Sequence, residues 1–240
     1  VILSLSKDQN QTIYTLQTKK ITMSHSKLIT DTFTIEKGFK IYDFNKCLEF
    51  IETHGKILYG HLFKISDIDT PTIYKLLIYM IKDQHAANSE QINLSKGILL
   101  SGPIGCGKTS IMHLIRPFSS HLSDYKIKTC REISFEFAKY GYEALYQYTQ
   151  KVHLQNRLPG YCFDDLGSEQ QIKHFGNDCN VMAEILISRY EEFVQNKSIT
   201  HITTNLSASE IEAQYGNRVR SRMRELFNLI AYDNNTKDKR

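Results

Sequence analysis

Apolar and polar positions along this chain follow two periods. Short runs of apolar and β-branched residues occur at "GILLSG" (97–102), "KIKTC" (126–130), "YCFDD" (161–165), "SITHITTN" (198–205) and "FNLIAY" (227–232). Between them lie longer stretches, such as "EISFEFAKYGYEALYQYT" and "NVMAEILISRYEEFV", whose apolar residues recur every three or four positions. The first pattern predicts strands and the second predicts helices. Apolar strands separated by helices predict an α/β fold with a mostly parallel sheet covered on both faces.

Upstream the pattern is different. "TPTIYKLLIYMIKDQ" predicts a helix with Thr70 as its cap, Pro71 in the first turn and an apolar stripe of Ile73, Leu76, Leu77, Tyr79 and Met80. Residues 31–70 mix β-branched runs with a helical segment at Phe44–Ile51, which predicts a small α+β module. Residues 1–30 are polar, rich in Ser and Thr and weakly periodic, as expected of a flexible lead-in. The expected division is therefore 1–30, a lead-in; 31–95, an N-terminal α+β region with a linker helix; and 96–240, the main α/β domain.

Composition narrows the class. With 41% hydrophobic and 23% charged residues, the chain has the balance of an ordinary globular protein. No stretch approaches the roughly 20 apolar residues of a membrane span; the longest apolar region, around Tyr74–Ile81, is broken by Lys75. Lys7 and Asp8 interrupt the apolar start, so there is no signal-peptide layout, and the first residue, Val1, points to a fragment or to Met23 as the start. Five scattered cysteines (Cys47, Cys106, Cys130, Cys162, Cys179) form no CxxC pair, which argues against a disulfide framework or zinc site and for the cytoplasm. A net charge of +4 permits a nucleic-acid partner without demanding one.

The chemistry concentrates in one loop. Gly102-Pro103-Ile104-Gly105-Cys106-Gly107-Lys108-Thr109 satisfies GxxxxGK[ST], between an apolar strand and a helix starting near Ser110. Glycines let backbone N–H groups turn inward around phosphate oxygens, Lys108 reaches the β- and γ-phosphates, and Thr109 offers a hydroxyl to Mg²⁺. The helix that follows adds its positive end. Cys106 reads as a small residue fitted to a tight turn. A bulky thiol reagent there is expected to block nucleotide.

Asp164 and Asp165 end another apolar strand. One carboxylate there can hold the metal and its neighbour can polarise the attacking water, so Asp164 is assigned to Mg²⁺ and Asp165 to water. Two acids could equally form a solvated turn; the phosphate loop upstream favours the catalytic reading. Asn205, at the tip of "SITHITTN", could orient the same water, although asparagine also ends strands as a turn residue. Arg218, Arg220, Arg222 and Arg224 alternate along a predicted helix whose buried stripe is Val219, Met223 and Leu226. A solvated charged face, a nucleic-acid patch and an arginine acting on a neighbouring subunit all fit that pattern. Aromatic residues are plentiful in "EFAKYGYEALYQY", beside Lys126, Lys128 and Arg131, and at helical spacing they read first as core.

Together, "GILLSGPIGCGKTS", "CFDDLGSE", "ISRYEE", "ITTNLSASEIEAQYGNRVRSRM" and "DKR" resemble the AAA+ ATPases of the DnaC/IstB family, over roughly residues 70–240. The resemblance implies an AAA+ core with its five strands in the order 5-1-4-3-2. It also implies Asn205 as sensor 1, Arg222 as the arginine finger and Arg240 as the sensor 2 arginine contacting nucleotide in cis. The acidic pair departs from the Asp-Glu usual in that family, and Glu169 is a second candidate base. Residues 1–70 match neither a zinc-bearing loader domain nor a transposition-helper N-terminus.

The expected function is Mg²⁺-dependent ATP binding and hydrolysis by a helicase-loader-like protein of DNA replication. Its expected partners are a replicative helicase, single- or double-stranded DNA and further copies of itself in an ATP-dependent oligomer. An IstB-like transposition helper working with a transposase, a small-molecule kinase and a non-hydrolysing nucleotide switch are the alternatives.

Overall fold

The structure, a computed structural model, describes residues 16–17, 28–119, 124–150, 158–169, 172–174 and 177–239. Most of the expected lead-in, including Met23, lies outside the described residues, as does Arg240. The described residues fall into two compact units. One draws on Val1–Leu94, Gly105–Ser123 and Tyr232–Arg240, the other on Ser95–Ile104 and Asp124–Ala231.

In the first unit, β1 (Leu16–Gln17) runs parallel to β3 (Phe39–Asp43), which pairs antiparallel with β2 (Phe33–Glu36). Lys37 and Gly38, both at positive φ, make the tight β2–β3 turn. Asp43 then caps α1 (Phe44–Tyr59) by accepting from the N–H groups of Asn45 and Lys46. The helix runs well past Ile51, where the sequence pattern ends it. It does so through Gly55, where any larger residue would strike the ring of Phe63.

α2 (Thr70–Ile81) begins at Thr70 with Asp69, not Thr70, in the cap position. Its predicted stripe is buried, and so are Ile78 and Ile81, because this helix is covered on nearly every side. α3 (Gln84–Ser89) follows, capped by Asp83, and α4 (Lys108–Ile115) starts two residues before Ser110. An aromatic cluster joins these parts. Tyr42 and Phe50 lie 6.2 and 5.4 Å from Phe118, and Phe44 meets Tyr74 edge-on at 5.3 Å.

The second unit is a parallel sheet of β4 (Gly97–Ser101), β5 (Lys126–Thr129), β6 (Tyr161–Leu166), β9 (Thr200–Thr204) and β10 (Phe227–Ala231). Its order is β10-β4-β9-β6-β5. Numbered one to five along the chain, these strands stand in the order 5-1-4-3-2, as the family resemblance implies. A short hairpin of β7 (Ile172–His174) and β8 (Asn177–Cys179) is an addition that the pattern reading did not predict. Phe163 and Ile202 from the sheet are buried with Phe137, Met182, Ile185 and Leu186 in one apolar cluster.

The helices of this unit are α5 (Cys130–Tyr140), α6 (Glu143–Thr149), α7 (Val181–Asn196) and α8 (Ala208–Leu226). The single stretch "EISFEFAKYGYEALYQYT" is thus two helices, broken at Gly141, which has φ 62°. α8 is likewise interrupted, by a kink at Gly216. Arg189 of α7 is wholly buried and knits the unit together. It donates to Thr200 Oγ1 (2.6 Å) and to the carbonyls of Tyr148 (2.7 Å), Pro159 (2.9 Å) and Ile199 (3.3 Å), with the rings of Tyr161 and Phe163 5.5 Å away.

Candidate functional site

The glycine loop spans the division between the units: Gly102 belongs to the second, and Gly105, Cys106, Gly107, Lys108, Thr109 and Ser110 to the first. Gly105 and Gly107 hold φ of 77° and 94°, a backbone that other residues adopt only under strain. Gly107 is also the residue before α4, and no side chain caps that helix's first turn. A loop turned inward this way and leading into an uncapped helix start fits a phosphate group.

Lys108 is buried, its ammonium 3.9 Å from Cys106 Sγ. Burial raises the Cys106 thiol's pKa while Lys108 pulls it down. The thiol is therefore a poor nucleophile, in keeping with its reading as a small turn residue.

Within the same unit, the end of the chain lies on this loop. Lys239 N–H donates to Gly105 O (3.1 Å), and the Asp238 carboxylate occupies the space a side chain at Gly105 would need. The Lys239 ammonium pairs with the buried carboxylate of Asp69 and stands 5.3 Å over the Tyr232 ring. Arg240, the cation that the family resemblance implies here, lies outside the described residues; its neighbour Lys239 lies on the loop.

In the second unit, three strand ends come together. Gly102 N–H donates to Thr204 O (3.3 Å), which extends the β4–β9 pairing, and Asn205 follows directly, exposed. Asp164 and Asp165 lie on β6 beside them, at the carboxyl edge where ligands of parallel sheets bind. The pairing shifts between Phe163 and Leu166, which leaves one extra residue on β6, and Asp165 takes φ 54°. Consecutive strand residues normally face opposite ways, and a bulge breaks that alternation at the acidic pair.

Thr203 of β9 fixes the bulge from both sides. Its hydroxyl donates to Asp164 Oδ1 (2.6 Å) and accepts from Asp165 N–H (2.9 Å). Asp164 is 2% exposed and Asp165 is half-buried. Among the described residues no group of three or more His, Cys, Asp or Glu side chains could hold a metal ion. A buried carboxylate at the end of this strand suits Mg²⁺, which keeps waters and shares its remaining positions with phosphate oxygens. Glu169 is engaged elsewhere: it accepts from Tyr215 OH and from Gly167 N–H (2.9 Å).

Beyond the kink in α8, Val219, Met223 and Leu226 are buried as the stripe predicts. Arg218 and Arg224 are exposed, and Arg220 pairs with Glu212. Arg222 is half-buried, its guanidinium stacked 4.8 Å over the ring of Tyr190. The aromatics of α5 and α6 divide. Phe137 and Tyr148 are core, whereas Phe135, Tyr140, Tyr142 and Tyr146 are exposed, with Arg131 over Phe135 and Lys139 over Tyr140. Thr203, Tyr190 and Lys239 were not singled out from the sequence; "TTN", "SRYEE" and "DKR" are the segments that held them.

No protein-family model matches the chain, and no curated protein is similar to it in sequence. Solved structures do resemble it. The crystal structure of DnaI is 18% identical, with 74% of this chain and 87% of that one covered at a TM-score of 0.50. A protein assigned as a primosome component from Streptococcus pyogenes serotype M3 is 15% identical, with 72% and 83% covered at 0.50. The DnaC helicase loader is 19% identical, with 70% and 92% covered at 0.48. At these identities the likeness is one of architecture. Taken with the strand order, the chain has an α/β fold of the phosphate-loop, AAA+ kind, like that of DnaI and the primosome component.

Proposed function

We infer that the chain is a Mg²⁺-dependent ATPase that acts in DNA replication as a helicase-loader-like protein, with residues 96–240 as the ATP-binding domain. The observation that carries this reading is the bulged acidic pair tied to Thr203. Backbone N–H groups of Gly105, Cys106 and Gly107, with Lys108 and Ser110, cradle the phosphates, and Gly102, whose own N–H is taken by Thr204 O, opens the loop. Thr109 and Asp164 would hold Mg²⁺, which would supply neutralising charge to the phosphate oxygens. Asp165 takes up the proton of the attacking water, and Asn205 orients that water. Arg222, donated by a neighbouring copy, stabilises charge as it develops, and Arg240 contacts the nucleotide of its own subunit.

The replication setting is supported by the motif resemblance and by the primosome component of like fold. A replicative helicase is the protein partner this setting suggests. Single-stranded DNA as a further partner is supported by the exposed aromatics and flanking cations of α5 and α6, the surface on which bases stack. Among the described residues no helix is long and apolar enough to cross a membrane.

The test is ATP hydrolysis across protein concentrations, with and without single-stranded DNA, for the parent, Lys108→Ala and Arg222→Ala. Turnover that climbs more than linearly with protein, rises with DNA and vanishes in both variants is expected. Linear turnover with a silent Arg222→Ala overturns the assembled reading. Tight ATP binding without turnover makes the chain a switch.

A further inference from the structure

Arg222 differs from the other arginines of its helix. Arg218 and Arg224 are exposed, and Arg220 is paired with Glu212, but Arg222 keeps a buried Nη1 that has no hydrogen-bond partner. Its guanidinium is held instead by a face, lying 4.8 Å over the Tyr190 ring of α7. Tyr190 is fixed in turn, since its hydroxyl donates to Glu225 Oε2 at 2.9 Å, back on α8 one turn beyond Arg222. The ring's orientation is thus set by Glu225 and the guanidinium's by the ring. The residue before Tyr190, Arg189, anchors α7 through four hydrogen bonds.

This arrangement has a chemical meaning. A planar guanidinium stacked on an aromatic face keeps its N–H groups in one plane, aimed outward from the ring edge. Nη1 is shielded by the protein, so an anionic oxygen from outside would meet the other N–H groups of this half-buried guanidinium, which no carboxylate claims in an ion pair. An arginine on an exposed helix face would instead pair with a local carboxylate, as Arg220 does with Glu212.

We propose that Tyr190 is a positioning residue that holds the Arg222 guanidinium flat and unpaired, ready for the phosphate oxygens of a nucleotide bound to a neighbouring copy. This rests on the reading of Arg222 as the group donated between subunits. Tyr190 itself touches no reacting atom. Its effect falls on kcat through Arg222 and leaves ATP affinity alone, because the subunit's own glycine loop is untouched.

The experiment compares the parent, Tyr190→Phe, Tyr190→Leu, Glu225→Ala and Arg222→Ala in steady-state hydrolysis, and in binding of a fluorescent non-hydrolysable ATP analogue. Tyr190→Leu is expected to lose about ten-fold in kcat with analogue affinity unchanged, and Tyr190→Phe, which keeps the ring but loses its bond to Glu225, about three-fold, as Glu225→Ala does. Mixing Tyr190→Leu with Lys108→Ala should restore turnover above either alone, since the second variant donates an intact Arg222 to the intact loops of the first. An unchanged or faster Tyr190→Leu, a loss of analogue binding, or a mixture without rescue overturns the proposal. Should Tyr190→Leu fail to fold, Glu225→Ala, at an exposed position, must lower kcat about three-fold, and an unchanged kcat there overturns it. If Arg222→Ala itself keeps its concentration-dependent turnover, the donated-arginine reading has failed instead.

Discussion

Replacing Arg189 by methionine removes a cation whose hydrogen-bond acceptors are one hydroxyl and three carbonyls. The guanidinium donates to Thr200 Oγ1 and to three main-chain carbonyls, at 2.6 to 3.3 Å, and is wholly buried. Burial pushes its pKa from 12.5 down to about 9, so it stays charged at neutral pH, at a desolvation cost on the order of 5 kcal/mol. Hydrogen bonds to a charged group contribute about 1.5–3 kcal/mol each, and four of them more than offset that cost. Methionine gives back the desolvation but takes the donor from four acceptors, two of them on buried residues. The net loss expected is about 3–5 kcal/mol, since each buried acceptor left unsatisfied costs about 1–3 kcal/mol.

Urea unfolding followed by circular dichroism measures this, and at an m-value of about 2 kcal/mol/M the midpoint should fall by at least about 1.5 M. Arg189→Lys should lose nearly as much, because a single ammonium cannot span four acceptors held by a planar fork. A midpoint shift under about 0.5 M for Arg189→Met would refute the reasoning. It would mean that apolar packing replaces the network at no cost.

Three further outcomes follow from the geometry. Thr203→Val keeps the shape but strips Asp164 of a donor and Asp165 N–H of an acceptor. It should cost about 1–3 kcal/mol in urea unfolding and raise the Mg²⁺ concentration needed for half-maximal turnover. At Asp165, φ 54° reverses the usual preference of strands, so Asp165→Gly should be more stable than Asp165→Ala by about 1 kcal/mol in thermal melts. Lys82, half-buried over the Tyr79 ring, has its pKa lowered by burial to about 8. The unfolded chain then binds that proton more tightly from about pH 8 up to the ordinary 10.5, so the parent should gain stability over Lys82→Met as pH rises through that window. A constant difference across it would refute the assignment.

The sheet was legible because each strand is an apolar run bounded by turn or polar residues, and the order followed from the family resemblance. The glycine loop was legible because backbone geometry restricts its composition. What the pattern hid was decided by tertiary contacts. Gly141 inside "AKYGYEA" was an available break signal, outweighed there by the helical spacing on either side. Gly55 argues for ending α1, and only the approach of the Phe63 ring explains why the helix continues. Arg189 within "ISRYEE" looks like part of a charged face, since its acceptors are carbonyls, which leave no mark in side-chain composition. The bulge at Asp165 was equally silent: a run of "YCFDDL" reads as regular strand, and the pairing with β9 alone reveals the extra residue.

The kink at Gly216 makes α8 a lever. Its proximal arm is moored by Tyr215 to Glu169, just beyond the acidic strand, while its distal arm carries Arg222 six residues, or about 9 Å, from the fulcrum. A bend of ten degrees there would correspond to about 1.5 Å at Arg222, and the ring of Tyr190 and the buried Val219, Met223 and Leu226 hold the arm against it. The brace across the fulcrum is the solvent-accessible ion pair of Arg220 with Glu212, a type of contact contributing at most about 1 kcal/mol and weakened by salt. Ionic strength is therefore expected to act on the brace across the kink and to leave the buried face of the distal arm in place.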